Sequence, residues 1–211
     1  MHPACAAQLN QGRPEIMVHA VADAAALAPL LKRASVVAIG PGLAQLDWSA
    51  AMFGAVRDVG LPLILDADAL NLLARDPQYR ADWCLTPHPG EAARLLGFAS
   101  ARDIAADRYA AAAALNARYG GVAVLKGAGS LVAAAGRVSV IADGNPGMAG
   151  GGMGDVLTGV IAALCAQGLA LSDAATVGAA LHAAAADVAA ADGERGLLAS
   201  DLFAPLRRLV N

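Results

Sequence analysis

A chain of 211 residues with 57% hydrophobic and only 16% charged residues can bury a thick layered core, which excludes a disordered chain. A formal net charge of −3 and an aromatic content of 4% exclude a non-specific nucleic-acid binder, which needs a basic face and stacking platforms. Cys5, Cys84 and Cys165 are far apart and in no metal-ligand spacing, so reduced thiols in a cytoplasmic protein are expected, with no disulfide framework, zinc site or other metal-ligand set.

The first residues lack the basic start and apolar core of a secretory signal. No apolar run reaches the roughly 18 residues of a membrane span. Residues 1–20 carry no sustained period, and P-E-I-M-V-H at 14–19 is expected to be a short strand. Residues 23–33 read as a helix capped by Asp23, with Leu27, Leu30 and Leu31 as its stripe. A strand at 35–39 runs into G-P-G-L, a helix covers 47–59, and a strand at 61–65 ends in D-A-D-A-L-N. A helix from 67 to 75, a strand at 83–86 ending in P-H-P-G-E, and helices at 91–97 and 102–118 follow. Residues 122–125 form a strand ending in K-G-A-G-S, and 131–134 with 137–141 read as an antiparallel hairpin near an edge. The rest is helical at 155–167, 172–191 and 199–208, with Ser172 and Ser200 as caps. Short apolar strands alternating with helices give an α/β protein, a mostly parallel sheet covered on both faces, in one domain over 1–211.

Ligands of such sheets bind beyond the carboxyl ends of the strands, and glycine, proline, acid, histidine and lysine all collect there. The organising stretch is N-P-G-M-A-G-G-G-M-G-D-V-L-T-G at 145–159, a glycine run feeding an apolar helical pattern. Bare backbone and unpaired first-turn N–H groups make a phosphate site, with Asp155 at the junction as an acid or as a simple N-cap. The positive helix end lowers a carboxylate pKa by about a unit, so Asp155 is expected to be ionised near neutrality.

Backbone N–H groups of Gly127, Ala128, Gly129 and Ser130 and the Ser130 hydroxyl can hold phosphate, with Lys126 supplying charge; an ordinary turn is the competing reading. Asp66 and Asp68 read as caps of the next helix, with a cation site as the alternative. His88, fixed between two prolines, reads as a ligand contact, Glu91 as a first-turn acid with a role near a metal as the alternative, and His182 as a packing residue.

Taken together, these motifs resemble those of the ribokinase-like superfamily, and more closely the ADP- or ATP-dependent NAD(P)H-hydrate dehydratases, over about residues 13–208. The most specific part is the stretch from Asn145 to Gly159, with G-P-G-L, D-A-D-A-L-N, T-P-H-P-G-E and L-K-G-x-G-S in order behind it. The resemblance implies a three-layer αβα sandwich and a hydro-lyase that dehydrates the S epimer of NAD(P)H-hydrate at the expense of ADP or ATP with Mg2+. By motif it places Gly42 and His88 on the hydrate, and Asp155 on its hydroxylated ring as the catalytic residue. Lys126 to Ser130 and Gly154 fall on the adenine nucleotide. It further implies a homo-oligomer, a tetramer, with no membrane or nucleic-acid partner. Ala44 and Gly150 depart from the family pattern, and a glycine-rich strand-turn-helix ahead of Arg13 is missing, so the chain is expected to be N-terminally truncated. A small-molecule kinase resembling hydroxyethylthiazole kinase and a non-catalytic nucleotide-binding remnant are the alternatives.

Overall fold

The computed structural model describes residues 1–9 and 13–211, and these divide into two units, 1–34 with 44–60, and 35–43 with 61–211. In the first unit, helices α1 (Pro3–Leu9), α2 (Ala24–Leu31) and α3 (Asp47–Arg57) are joined by irregular backbone. Asp23 accepts from the Ala26 N–H at 2.8 Å and caps α2, as its position in the sequence requires. The Trp48 indole donates to the Val21 carbonyl at 3.0 Å and ties the start of α3 to the segment before α2. No strand forms at 14–19. Met17 is 84% exposed there, so the apolar run has no sheet face to join.

The second unit carries the sheet. Its strands are β1 (Val37–Ile39), β2 (Leu63–Leu65), β3 (Trp83–Leu85), β4 (Val122–Leu125), β5 (Ser130–Ala134) and β6 (Arg137–Ile141), in that spatial order. The first four are parallel; β5 and β6 add as the expected antiparallel hairpin, with β6 at the edge. Helices α4 (Ala67–Arg75), α5 (Pro89–Leu96), α6 (Ala101–Ala106) and α7 (Arg108–Tyr119) lie between strands in sequence. Helices α8 (Met153–Ala166), α9 (Leu171–Ala189) and α10 (Phe203–Leu209) follow the hairpin.

Strand residues alternate between two apolar faces. Ile64, Cys84, Val122, Val124 and Val132 cluster with Leu157 and Ile161 of α8 and with Ala174, Ala175, Ala179 and Ala183 of α9. Leu63, Leu65, Trp83, Leu85, Ala123 and Leu125 are fully buried on the other face, where α7 packs on β4 and β5 beside α5. There the Tyr119 hydroxyl donates to the Leu95 carbonyl at 2.7 Å, and the Trp83 indole donates to the Tyr119 carbonyl at 2.8 Å. Small residues bring α9 against α8: a Cβ on Gly178 would lie 2.9 Å from Ile161 Cγ1.

Several helix ends differ from the sequence expectation. The helix expected at 102–118 breaks at Asp107, whose carboxylate accepts from the Ala110 N–H at 2.9 Å and caps α7. Ser172 falls inside the first turn of α9, whose cap position is Ala170, and Ser200 lies in a 3-10 turn, Ala199–Leu202. Neither serine caps a helix. α8 starts two residues earlier than expected, with Gly152 as its cap at φ +84°, so Asp155 stands in its first turn and is not its N-cap.

Candidate functional site

The parallel strands end on one edge, so the loops after β1, β2, β3 and β4 share it. Antiparallel pairing of β4 with β5 brings 126–130 to that edge, and the return of β6 delivers residues 142–152 and the start of α8 to it. Here lies a cavity of about 780 Å³, lined by His88, Lys126 to Ser130, the 142–146 loop, Gly154, Leu157 and His182 among others. That volume suits a nucleotide-sized ligand.

Beneath the cavity lies a pair of opposite charges. Lys126 Nζ sits 2.6 Å from Asp66 Oδ1 and 3.9 Å from Glu91 Oε2. Asp66 is 2% exposed, and its second oxygen accepts from the Thr158 hydroxyl on α8 at 3.0 Å. Asp66 occupies the cap position of α4 yet its side chain makes no cap bond, so the expected capping role is wrong. Its carboxylate is directed to Lys126 and Thr158, because a buried carboxylate needs charge-assisted partners more than a helix end needs a cap.

The glycine run finds its reason at Gly154. A Cβ there would lie 3.0 Å from Lys126 Nζ and 3.4 Å from Asp66 Oδ2. Only a bare backbone lets the first turn of α8 come so close to the pair. Gly152 offers no side-chain cap, which leaves first-turn N–H groups and the positive helix end for an anion.

Asp155 is on the same turn and exposed, but outside the cavity lining. Its pKa is raised, through desolvation first and the Asp66 carboxylate second, with Lys126 opposing. The lowering expected from the helix end is therefore corrected: desolvation and a second negative charge set the direction of the shift. A raised pKa makes Asp155 a stronger proton acceptor.

His88 does two things. Its Nδ1 accepts from Gly90 N–H at 3.0 Å and Glu91 N–H at 3.3 Å, capping α5, and its Nε2 lies 3.4 Å from Glu91 Oε1. Glu91 Oε2 in turn accepts from the His88 N–H at 2.8 Å, closing the capping box. The imidazole remains half exposed and lines the cavity with Pro89. Gly42 lies on the loop after β1 with φ +63°; it is outside the cavity lining, on the neighbouring part of the same edge. That loop meets the end of β2, since a Cβ on Gly40 would collide with the Asp66 carbonyl. The Ser130 hydroxyl, expected to hold phosphate, donates to the Gly127 carbonyl at 3.2 Å and its N–H pairs with β6, while the Lys126 N–H donates to the Pro87 carbonyl at 2.9 Å, so the donors toward a ligand are those of the loop between them.

Four residues escaped the sequence reading. Thr158 anchors Asp66. Asp187 of α9 accepts from Gly144 N–H at 2.9 Å and from the Asn145 amide at 2.8 Å, fixing the loop before the glycine run. Arg108 of α7 donates to the Ala128 and Gly129 carbonyls. His182, expected only to pack, is 6% exposed, lines the cavity, and has an Nε2 without a hydrogen-bond partner. Burial pushes its pKa down to about 4; a backbone hydrogen bond with Met153 opposes the shift, and Lys126 adds to it. Among the described residues no group of three or more His, Cys, Asp or Glu could hold a metal, and no helix is long and apolar enough to cross a membrane.

With this geometry in hand, comparison with known proteins is specific. The family model described as NAD(P)H-hydrate dehydratase matches residues 2–208. A bifunctional NAD(P)H-hydrate repair enzyme of Coxiella burnetii is 53% identical over 201 residues, covering 94% of this chain and 41% of that protein. The ADP-dependent (S)-NAD(P)H-hydrate dehydratase of Neisseria meningitidis is 42% identical over 215 residues, with 95% and 70% covered. Among solved structures, the ADP/ATP-dependent NAD(P)H-hydrate dehydratase of Bacillus subtilis, co-crystallised with ATP/Mg2+ and soaked with CoA, superposes with a TM-score of 0.75 at 31% identity. It is matched over 83% of this chain and 65% of that one. The chain thus spans 41% of the length of the Coxiella burnetii relative.

Proposed function

The chain belongs to the NAD(P)H-hydrate dehydratase family, and on that premise we propose that it restores NAD(P)H from the S epimer of its hydrate at the expense of an adenine nucleotide. The observation carrying this reading is the close approach of the Gly154 backbone to the Lys126–Asp66 pair, with Asp155 on the same turn. An anion-binding helix start, an ammonium and a carboxylate of raised pKa are the parts that phosphoryl transfer to an alcohol requires.

Hydroxide leaves a ring carbon poorly, whereas phosphate leaves readily. Asp155 accepts the proton of the ring hydroxyl as that oxygen forms a bond to the terminal phosphorus of ADP or ATP. The bond from phosphorus to the nucleotide breaks, and the carbon–oxygen bond then breaks as the adjacent ring carbon gives up a proton to solvent, which restores the ring double bond and releases phosphate and the reduced nicotinamide. Lys126 to Ser130 and Gly154 hold the nucleotide phosphates and adenosine portion, while Gly42, His88 and Asp155 hold the hydrate.

Asp66 and Glu91, the carboxylates beside Lys126, do not fit as ligands of Mg2+: both are buried, committed to Lys126, Thr158 and His88, and outside the cavity lining, so the ion would be held chiefly by the nucleotide phosphates. Bound with the nucleotide, the ion would neutralise phosphate charge. In the same proposal residues 1–211 act as one dehydratase domain of a cytoplasmic homo-oligomer, tetrameric by resemblance.

The test supplies NADH-hydrate or NADPH-hydrate with Mg2+ and ADP or ATP, and follows reduced-nicotinamide absorbance beside phosphate release. Nucleotide-dependent recovery is the expected result and names the donor. A stable phosphorylated product would mark a kinase, and nucleotide binding without product a binding remnant.

A further inference from the structure

The phosphate loop is held from behind. Arg108 starts α7 and is absent from the cavity lining, yet its guanidinium reaches the loop carbonyls. Nη1 donates to the Ala128 oxygen, and Nη2 to the Gly129 oxygen at 2.9 Å. In a planar trans peptide the C=O of one residue and the N–H of the next point in opposite directions. Fixing those two carbonyls on the guanidinium therefore turns the Gly129 N–H away from Arg108, while the Ser130 N–H, paired in register with Ile141, belongs to the ladder with β6. The same fork requires a residue without Cβ at 127, where φ is +149° and a Cβ would lie 2.9 Å from Arg108 Nη2. Two hydrogen bonds and a close-approach glycine thus converge on one side of the loop, and the cavity is on its other side.

We propose that Arg108 is a positioning residue for the nucleotide phosphates, clamping the Ala128 and Gly129 carbonyls so that the loop presents its N–H groups to a di- or triphosphate. The inference rests on the reading of residues 126–130 as the phosphate loop. A planar guanidinium suits the task because its forked donors reach two oxygens at once, which an ammonium point charge does not hold in one geometry.

The experiment compares the 211-residue chain with its Arg108→Met and Arg108→Lys variants, using calorimetric titration with ADP and Mg2+ and the melting temperature of the unliganded proteins. In Arg108→Met the Kd for ADP is expected to rise about tenfold, and the KM for nucleotide with it. The kcat at saturating nucleotide falls by less than about threefold, and the unliganded melting temperature stays within a few degrees of wild type. Arg108→Lys, which keeps the charge without the fork, recovers only part of the affinity. Unchanged ADP affinity in Arg108→Met overturns the inference, and so does full recovery in Arg108→Lys, which would reduce the residue to a charge. Should the Met variant fail to fold, the Lys variant decides: wild-type affinity there refutes the clamp. A wild-type chain that binds neither ADP nor ATP would instead remove the functional reading itself, and this inference with it.

Discussion

Replacing Lys126 by methionine tests the buried pair beneath the cavity. The substitution keeps the length of the side chain and strands Asp66, which is 2% exposed and keeps only the Thr158 hydroxyl at 3.0 Å. Removing one partner of a buried ion pair costs about 3–5 kcal/mol, because the other charge remains desolvated and unpaired. The Lys126 side chain is 19% exposed, so water already weakens the pair, and the lower end, about 3 kcal/mol, applies. At about 2–4 °C per kcal/mol for a chain of this size, the melting temperature should fall by about 6–12 °C. Asp66→Asn removes the stranded charge, so Lys126→Met added to Asp66→Asn should cost about 2 kcal/mol less than Lys126→Met alone. The assay is urea or thermal unfolding of the four proteins at pH 7. A Lys126→Met variant within about 1 kcal/mol of wild type, or an additive cycle, would refute the claim that Asp66 depends on this ammonium.

Other predictions concern single residues. Gly154→Ala places a methyl 3.0 Å from Lys126 Nζ and 3.4 Å from Asp66 Oδ2; crowding of the pair, about 1–3 kcal/mol, should outweigh a helix-propensity gain of up to about 1 kcal/mol, so nucleotide affinity drops about tenfold and the melting temperature falls, as titration and melting would report. Asp155→Asn should abolish turnover and retain nucleotide binding, and the acid limb of wild-type turnover should lie above the ordinary carboxylate value of 3.8, since desolvation and Asp66 raise the Asp155 pKa. Near-normal turnover in Asp155→Asn would remove that residue from the chemistry. His182 titrates at about 4 in the folded chain against 6.5 when exposed, so between those values the unfolded chain binds the extra proton. Its contribution is complete above pH 6.5 and falls by about 3 kcal/mol as pH drops to 4; His182→Gln should flatten that part of the stability profile, and an unaltered profile would contradict it.

What the sequence made legible was local. Apolar tetrads and triads at β2, β3 and β4 bounded by glycine and proline read as strands because nothing else fits such short runs, and the loops that follow them gather on one edge once the strands are parallel. The glycine run before α8 was legible as the start of a helix for the same reason. What was hidden depends on partners distant in sequence. Asp66 reads as a cap because its position fits one, and only the 60-residue return to Lys126 and the 92-residue return to Thr158 reassign it. Arg108 and Asp187 look like surface charges on alanine-rich helices until the loops they hold are folded against them. No spacing signals that a histidine flanked by alanines will face a cavity, as His182 does. The run at 14–19 failed as a strand because β propensity records the fit to a sheet, and Met17 meets none.

The most direct test of the central claim follows an oxygen atom. The hydrate is prepared in 18O-labelled water, so that the ring hydroxyl carries the label, and is turned over by the wild-type chain with ADP or ATP and Mg2+ in unlabelled water. Transfer of the phosphoryl group to the ring hydroxyl, followed by loss of phosphate, places the label in the released phosphate, one atom per reduced nicotinamide formed. Label in bulk water with unlabelled phosphate would mean that the hydroxyl departs without being phosphorylated, and the role given to Asp155 beside the Gly154 helix start would fall with that result.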